Sequence, residues 1–250
     1  MITLFRRIRQ KLIEPGSVTK YLLYAVGEIL LVVIGILIAL QVNNWNEERI
    51  SQNREYDFLV EIRDNLIADA LQIDEILVFN QAKRDTLSST IQTLVGDAGP
   101  VETTWFIQNR MSVLVEFQIF FPNRVGFDNM INAESIALVR DTELREALSA
   151  HYSAEIIYLG TQERTGELTR NFTDRIGPYI SRKELVDSRW SSESQLPSAS
   201  ASDIKKNPRI MADLNAMNSI NQAQSLILTD VKGQAGLLIE QIEVYLDQLN

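Results

Sequence analysis

Apolar and polar positions divide this chain into two parts with different periodicities. From Leu22 to Val42 there is one charge in 21 residues, Glu28, and fourteen of the 21 are Leu, Ile or Val. A helix of that length crosses a hydrocarbon core of about 30 Å. The fourteen aliphatics contribute about −4 to −8 kcal/mol to insertion, which exceeds the roughly +3.5 kcal/mol that an acid costs at the helix centre. After the span, Trp45, Gln52, Leu59, Leu66, Ile73, Asn80, Leu87 and Leu94 fall seven residues apart. Ile62, Ala70, Ile76, Leu77 and Ile91 widen that stripe, which predicts a helix of about fifty residues ended by Gly96-Asp97-Ala98-Gly99-Pro100.

A shorter helix is predicted from Thr104 to Phe120, a break at Pro122-Asn123, and a turn of helix from Phe127 to Ile131. Asp141 should cap a helix running to Ser181 that turns Leu144, Leu148, Tyr158, Leu168, Phe172 and Ile176 inward. Residues 187–208 read as a loop, polar and Ser-rich through 203. Beyond Pro208 the periodicity returns. Ile210, Met217, Val231, Leu238 and Tyr245 interleave with Leu214, Leu228, Ala235, Ile242 and Leu249. No window alternates with period two over strand length. The expected fold is all-α, an N-terminal transmembrane helix followed by an extracytoplasmic bundle of three to four main helices, two of them long.

Charge adds an orientation. Arg6, Arg7, Arg9, Lys11 and Lys20 against Glu14 give residues 1–20 a charge of +4, and residues 21–44 carry −1. The whole chain is at −9, so removing those two contributions leaves −12 on residues 45–250. Positive charge stays on the cytoplasmic side. The expected domains are therefore a cytoplasmic basic segment 1–20, a transmembrane helix 21–44 and an extracytoplasmic domain 45–250, periplasmic if the cell is Gram-negative. Leu4, Phe5, Ile8 and Leu12 recur at helical spacing among the bases, as in a helix lying in anionic headgroups. A purely topogenic role for those bases fits equally. An outer domain of −12 repels phosphate backbones, so nucleic acid is not an expected partner. The absence of cysteine excludes disulfides, thiolate catalysis and Cys-based zinc sites.

Within the span, Glu28, Gly35 and Val42 are seven apart, and Gly35 with Ala39 forms a small-xxx-small pair. Small residues let helices approach closely and a carboxyl in hydrocarbon seeks a partner, so Glu28, Gly35 and Ala39 are the candidate packing face. Glu28 could instead snorkel to the cytoplasmic headgroups. The basic opening Phe5-Arg6-Arg7-Ile8-Arg9-Gln10, then Lys20-Tyr21-Leu22, Gly27-Glu28-Ile29, Gly35 to Gln41 and Asn43-Asn44-Trp45-Asn46-Glu47, resembles an uncharacterised bacterial family of single-pass membrane proteins, domain-of-unknown-function family 6090. Phe127 to Arg145, with Asp141-Thr142-Glu143-Leu144-Arg145, resembles the family's middle block. The resemblance implies an anchor, a topology and a helical fold, and brings no catalytic residue.

His151 is the sole histidine, with Glu155 one helical turn on. The pair could bind a metal or move a proton, but a metal needs three or four ligands, and a buried histidine bonded to Glu155 is the plainer reading. Asn80, Asn221 and Gln224 occupy inward heptad positions and could form one polar layer if the long helices pair. Trp105, Phe106, Phe117, Phe120, Phe121 and Phe127 suit core packing, with a pocket or a membrane contact as alternatives. No phosphate loop, G-x-S-x-G or H-E-x-x-H motif occurs. The sequence thus points away from an enzyme, with no cofactor and no metal expected. It points to a scaffold or interaction protein that contacts the bilayer and either itself or other envelope membrane proteins. A ligand-binding sensor domain signalling through a partner protein is the alternative. The orientation is testable. A reporter active only outside the cytoplasm, fused after Asn250, should be active, and replacing Arg6, Arg7, Arg9 and Lys11 by acids should weaken that activity; a silent fusion alongside a working cytoplasmic reporter contradicts the topology.

Overall fold

A computed structural model of the chain describes residues 18–97, 99, 109–133, 135–179 and 203–249, with side chains from Leu22 onward except at 155–157. Expectations for residues 1–17, for Trp105 and Phe106 and for most of loop 187–208 lie outside the described residues. The chain divides into two compact units, Met1–Glu55 and Tyr56–Asn250. Five helices of eight residues or more carry the described fold: α1 (Val18–Val95), α2 (Val125–Asn132), α3 (Thr142–Ser153), α4 (Glu155–Ile176) and α5 (Pro208–Leu249). A short helical stretch at 109–115 and helical turns at 136–138, 177–179 and 203–206 join them, and no strand occurs among the described residues.

In the first unit, α1 is apolar all round through the span. Its most apolar 18-residue window has a mean hydropathy of 2.6 and none of it is buried, so the helix is long and apolar enough to cross a membrane. Leu22, Leu31, Leu37 and Leu40 all turn outward. Past the aliphatic run, Asn43 donates to Glu47 at 2.8 Å and Gln52 to Glu48 at 3.5 Å, side-chain pairs four apart that support a helix exposed to water.

The second unit follows the seven-residue rows. Leu59, Leu66, Ile73, Asn80, Leu87 and Leu94 of α1 are all buried, as are Ile210, Leu214, Met217, Leu228, Val231, Ala235, Leu238 and Ile242 of α5. The apolar core forms three layers along these two helices. One gathers Leu59, Ile62 and Leu66 with Phe127, Met130, Leu144, Leu148, Leu238 and Ile242. The middle layer packs Ile73 and Ile76 with Phe120, Tyr158, Leu228 and Val231. The last joins Leu87 and Leu94 to Met111, Leu114, Phe172, Ile176, Ile210 and Met217. Threonines reach the interior without unpaired hydroxyls, because Thr90, Thr165 and Thr169 each donate to the carbonyl four residues earlier.

Two boundaries differ from the sequence reading. Asp141 does cap α3, accepting from the Leu144 amide at 3.1 Å, but the helix stops at Ser153 and a second begins at Glu155. The Ser149 and Ser153 hydroxyls bond back to the carbonyls of Arg145 and Ser149, a pattern that bends helices, and Ala154 sits at ψ −5°. The helix predicted to reach Phe120 ends at 115, and residues 116–124 run without helical structure. Pro122 lacks an amide and clashes with the carbonyl four residues back, which bars helix over 118–122, and the carbonyls of Glu116 and Gln118 are taken instead by Lys83 and Gln224.

Gly126 lets α2 lie against α1. A Cβ there would meet Asn65 Nδ2 and the Ile62 backbone nitrogen at 3.0 Å each. Helix propensity alone favours alanine over glycine by about 1 kcal/mol. Overpacking against backbone reverses the sign, and Gly126→Ala should destabilise the domain by about 1–3 kcal/mol in thermal or denaturant unfolding. A gain in stability would mean that α2 does not approach α1 this closely.

Candidate functional site

Polar groups between the apolar layers meet at the non-helical segment 116–124. A non-helical segment packed on a bundle has inward amides and carbonyls with no helical partner, and each costs about 1–3 kcal/mol if buried unpaired. Four buried side chains from three helices supply the partners. Lys83 of α1 donates to the Glu116 carbonyl. Gln224 of α5 donates to the Gln118 carbonyl at 3.1 Å. Gln162 of α4 grips Phe120 at both ends, its Oε1 accepting from the amide and its Nε2 donating to the carbonyl at 3.1 Å. Asp69 of α1 accepts from the Asn123 amide, at 2.9 and 3.1 Å to its two oxygens. A carboxamide can serve amide and carbonyl at once because it carries a donor and an acceptor side by side.

The polar layer expected from the heptads is present and belongs to this system. Asn221 donates to Asn80 at 3.0 Å, and Asn80 in turn to Gln224 at 3.5 Å. One side chain of that layer thus faces α1 and the threaded segment together. Arg84 reaches across the same helix pair to Ser225 Oγ at 2.7 Å, and Lys232 meets Asp74 at 2.6 Å. Beyond Asn123, the Arg124 guanidinium donates to the Tyr152 carbonyl at 2.8 Å and lies 5.5 and 5.9 Å from the ring centres of Tyr152 and Phe127. Those two rings stack at 4.4 Å. Phe120 packs against Tyr158 at 5.3 Å, while Phe121 is exposed, so the aromatic run divides between core and surface.

Burial moves Asp69, Lys83, His151 and the Tyr152 hydroxyl, which it raises, away from their ordinary behaviour. Desolvation pushes the Asp69 carboxyl up to about 6, against the opposing pull of the Asn123 amide. Burial lowers the Lys83 ammonium to about 8, partly offset by Glu116. His151 is lowered by burial, which favours the neutral imidazole. Its ring stands edge-on to Tyr152 at 5.2 Å, and its Nδ1 has no hydrogen-bond partner among the described residues. His151 ends α3 whereas Glu155 opens α4, so the two do not share one helix, and the Glu155 side chain lies outside the described residues. Glu28, Gly35 and Ala39 are exposed on α1, and a Cβ at Gly35 would meet nothing within 4 Å. Among the described residues no three of His, Cys, Asp and Glu gather as a metal site.

Asp69, Lys83 and Gln162 were absent from the sequence reading. A signal existed for two of them. Ile62, Asp69, Ile76, Lys83 and Thr90 are spaced by seven and all are buried, a second row beside the apolar one in which three of the five places are polar. Gln162 has no comparable row. An open groove of ≈ 650 Å³ also runs along the α1/α5 pair, lined by Leu77, Gln81, Arg84, Ser225, Leu226 and Thr229 among others.

The model of a family of unknown function, DUF6090, matches residues 28–169. No curated protein and no solved structure matches the chain.

The Asp69 site has a signed pH dependence. Its folded pKa lies above its ordinary 3.8, so the folded protein holds the proton more tightly. That contribution is complete below about pH 4 and is lost as pH rises through about 6. The stability difference between wild type and Asp69→Asn, measured by thermal melting, should move towards the wild type by about 2 kcal/mol as pH falls from about 7 to about 4. A difference independent of pH would mean that Asp69 is solvated.

Proposed function

The chain belongs to DUF6090, a family of unknown function, and we propose that it is a membrane-anchored helical scaffold that works by contact with other proteins. In this reading residues 21–44 span the inner membrane of a bacterial cell, residues 1–20 stay in the cytoplasm, and residues 45–250 form a periplasmic domain. The observation that carries it is the use to which the buried polar side chains are put. Lys83, Gln162, Gln224 and Asp69 satisfy the backbone of one segment, and Asn80 and Asn221 bond within the same network. On this reading these six side chains hold the fold and the surface is the working part, with His151, whose Nδ1 has no hydrogen-bond partner among the described residues, the buried group left to test.

The anchor is supported by the helix itself. Leu22 to Val42 turns large aliphatic side chains outward on every side, an arrangement that water penalises at about 25 cal/mol per Å² and a bilayer favours. On this reading Glu28, Gly35 and Ala39 pack against a second span, from another copy or from another envelope membrane protein. A ligand-binding sensor domain draws its support from the α1/α5 groove. Its one inward base, Arg84, already bonds Ser225 and Gln81, which favours the contact reading.

Two substitutions test the proposal. His151→Gln should leave any cellular phenotype of the protein unchanged; loss of that phenotype with helicity, melting and partner binding intact would place chemistry at His151 and overturn the scaffold. Gly35→Leu should reduce span-to-span association about tenfold in a membrane dimerisation assay, and crosslinks at 28, 35 and 42 should exceed those on the opposite side. Equal crosslinking around the helix would leave Glu28 without a packing role.

A further inference from the structure

The outer face of the α1/α5 pair carries an apolar ladder that nothing among the described residues covers. Ile67, Leu71 and Val78 of α1 are 40%, 63% and 72% exposed, and Leu226 and Leu237 of α5 are 66% and 63% exposed. Steps of four, seven and eleven residues keep each set on one side of its helix. The Asn80–Gln224 hydrogen bond sets the antiparallel register of the two helices. Counted from it, Val78 lies level with Leu226, Leu71 with Gly233 and Ile67 with Leu237. The groove bordered by Leu77 and Leu226 runs along the same side. A Cβ at Gly233 would meet nothing within 4 Å, so the middle rung is open. The ladder is about three helical turns long, and helices in such pairs pack 8–10 Å apart, the spacing that seats a third helix between them. Large apolar side chains exposed in register on two neighbouring helices, with the polar groove and the Asp74–Lys232 pair between them, form an amphipathic face of the kind that interaction sites present.

Charge selects the occupant. Glu75 and Asp85 of α1 and Asp230 and Glu240 of α5 are exposed beside the ladder. The bases of the same side are half-buried and engaged inside the protein: Arg63 with Asp64, Arg84 with Ser225 and Gln81, and Lys232 with Asp74. With Asp64 and Asp74 counted, six carboxylates stand against three bases along this face, so the rim is net acidic. A second copy laid on this face would set acid against acid, which costs specificity and affinity. We propose that the α1/α5 face docks an amphipathic helix of another protein whose apolar stripe is flanked by Lys and Arg. The proposal rests on the contact reading above and supplies its surface and its class of partner.

The test uses the full-length chain. In detergent micelles it is titrated with a fluorescent synthetic helix of about three heptads, leucine at the inward positions and lysine at the flanks. A glutamate-flanked twin and a scrambled peptide of equal charge serve as comparisons. The lysine helix should bind at least about tenfold tighter than either, weaken as salt rises, and lose about tenfold with Leu226→Lys or Val78→Lys. Equal binding of the twin, or no loss with the variants, overturns the proposal. In cells, a photo-crosslinking residue at 78 or 226 is compared with one at Phe121 or Leu159, both exposed elsewhere. Adducts confined to 78 and 226 and mapping to a Lys/Arg-flanked helix support the proposal. Adducts between two copies at 78 and 226 overturn the choice of occupant. Adducts at Phe121 or Leu159 alone overturn the surface and spare the contact reading, and none at any position removes both.

Discussion

A stretch of backbone without regular structure, residues 116–124, lies partly buried against this bundle with Phe120 inserted in the core, and its inward amides and carbonyls have to be bonded there. The rest of the outer domain is arranged around that requirement. An interior of aliphatic side chains alone would leave the polar groups of Glu116, Gln118, Phe120 and Asn123 unpaired, each at a cost comparable to a lost hydrogen bond. Instead α1, α4 and α5 send long polar side chains inward at the levels where the segment passes. The apolar layers are interrupted at those levels, and the interruptions fix the register of the long helices as a buried polar residue does in a coiled coil.

Specificity bought this way carries an electrostatic cost. Asp69 and Lys83 are held where water is scarce, and both are shifted toward their neutral forms by burial. Among the described residues, the buried Lys83 and Asp69 bond backbone and Asp213 pairs with Arg175. A domain built so is suited to presenting surfaces in fixed relation, and the acidic-rimmed apolar ladder on α1 and α5 is the most developed of those surfaces among the described residues.

Much of the fold was legible because long helices state their inward side repeatedly. Seven-residue recurrence from Leu59 to Leu94 and from Ile210 to Ile242 matched the buried rows, Asp141 capped the helix expected of it, and Asn80, Asn221 and Gln224 met as one layer. The segment 116–124 was not legible. Its residues, Phe117, Ile119 and Phe120 among them, read as helix because apolar content at short range does not tell a helix from a non-helical segment packed on a core. What holds it there sits 33 to 106 residues away, in side chains whose partners no local pattern names. Asp69 and Lys83 could have been suspected from their places in an otherwise buried heptad row. Gln162 could not, since a glutamine within a mixed helix face announces nothing.

Hydrogen exchange on the full-length chain in detergent tests the central claim most directly, that buried side chains hold segment 116–124 against the bundle. The amides of Phe120 and Asn123, bonded to Gln162 and Asp69, should exchange as slowly as those in the middle of α4, opening only with the domain. Gln162→Ala should release the Phe120 amide selectively. Exchange of both amides at the rate of an exposed loop in the wild-type protein would contradict the account, since the segment would then lie in water and the buried polar side chains would need another explanation.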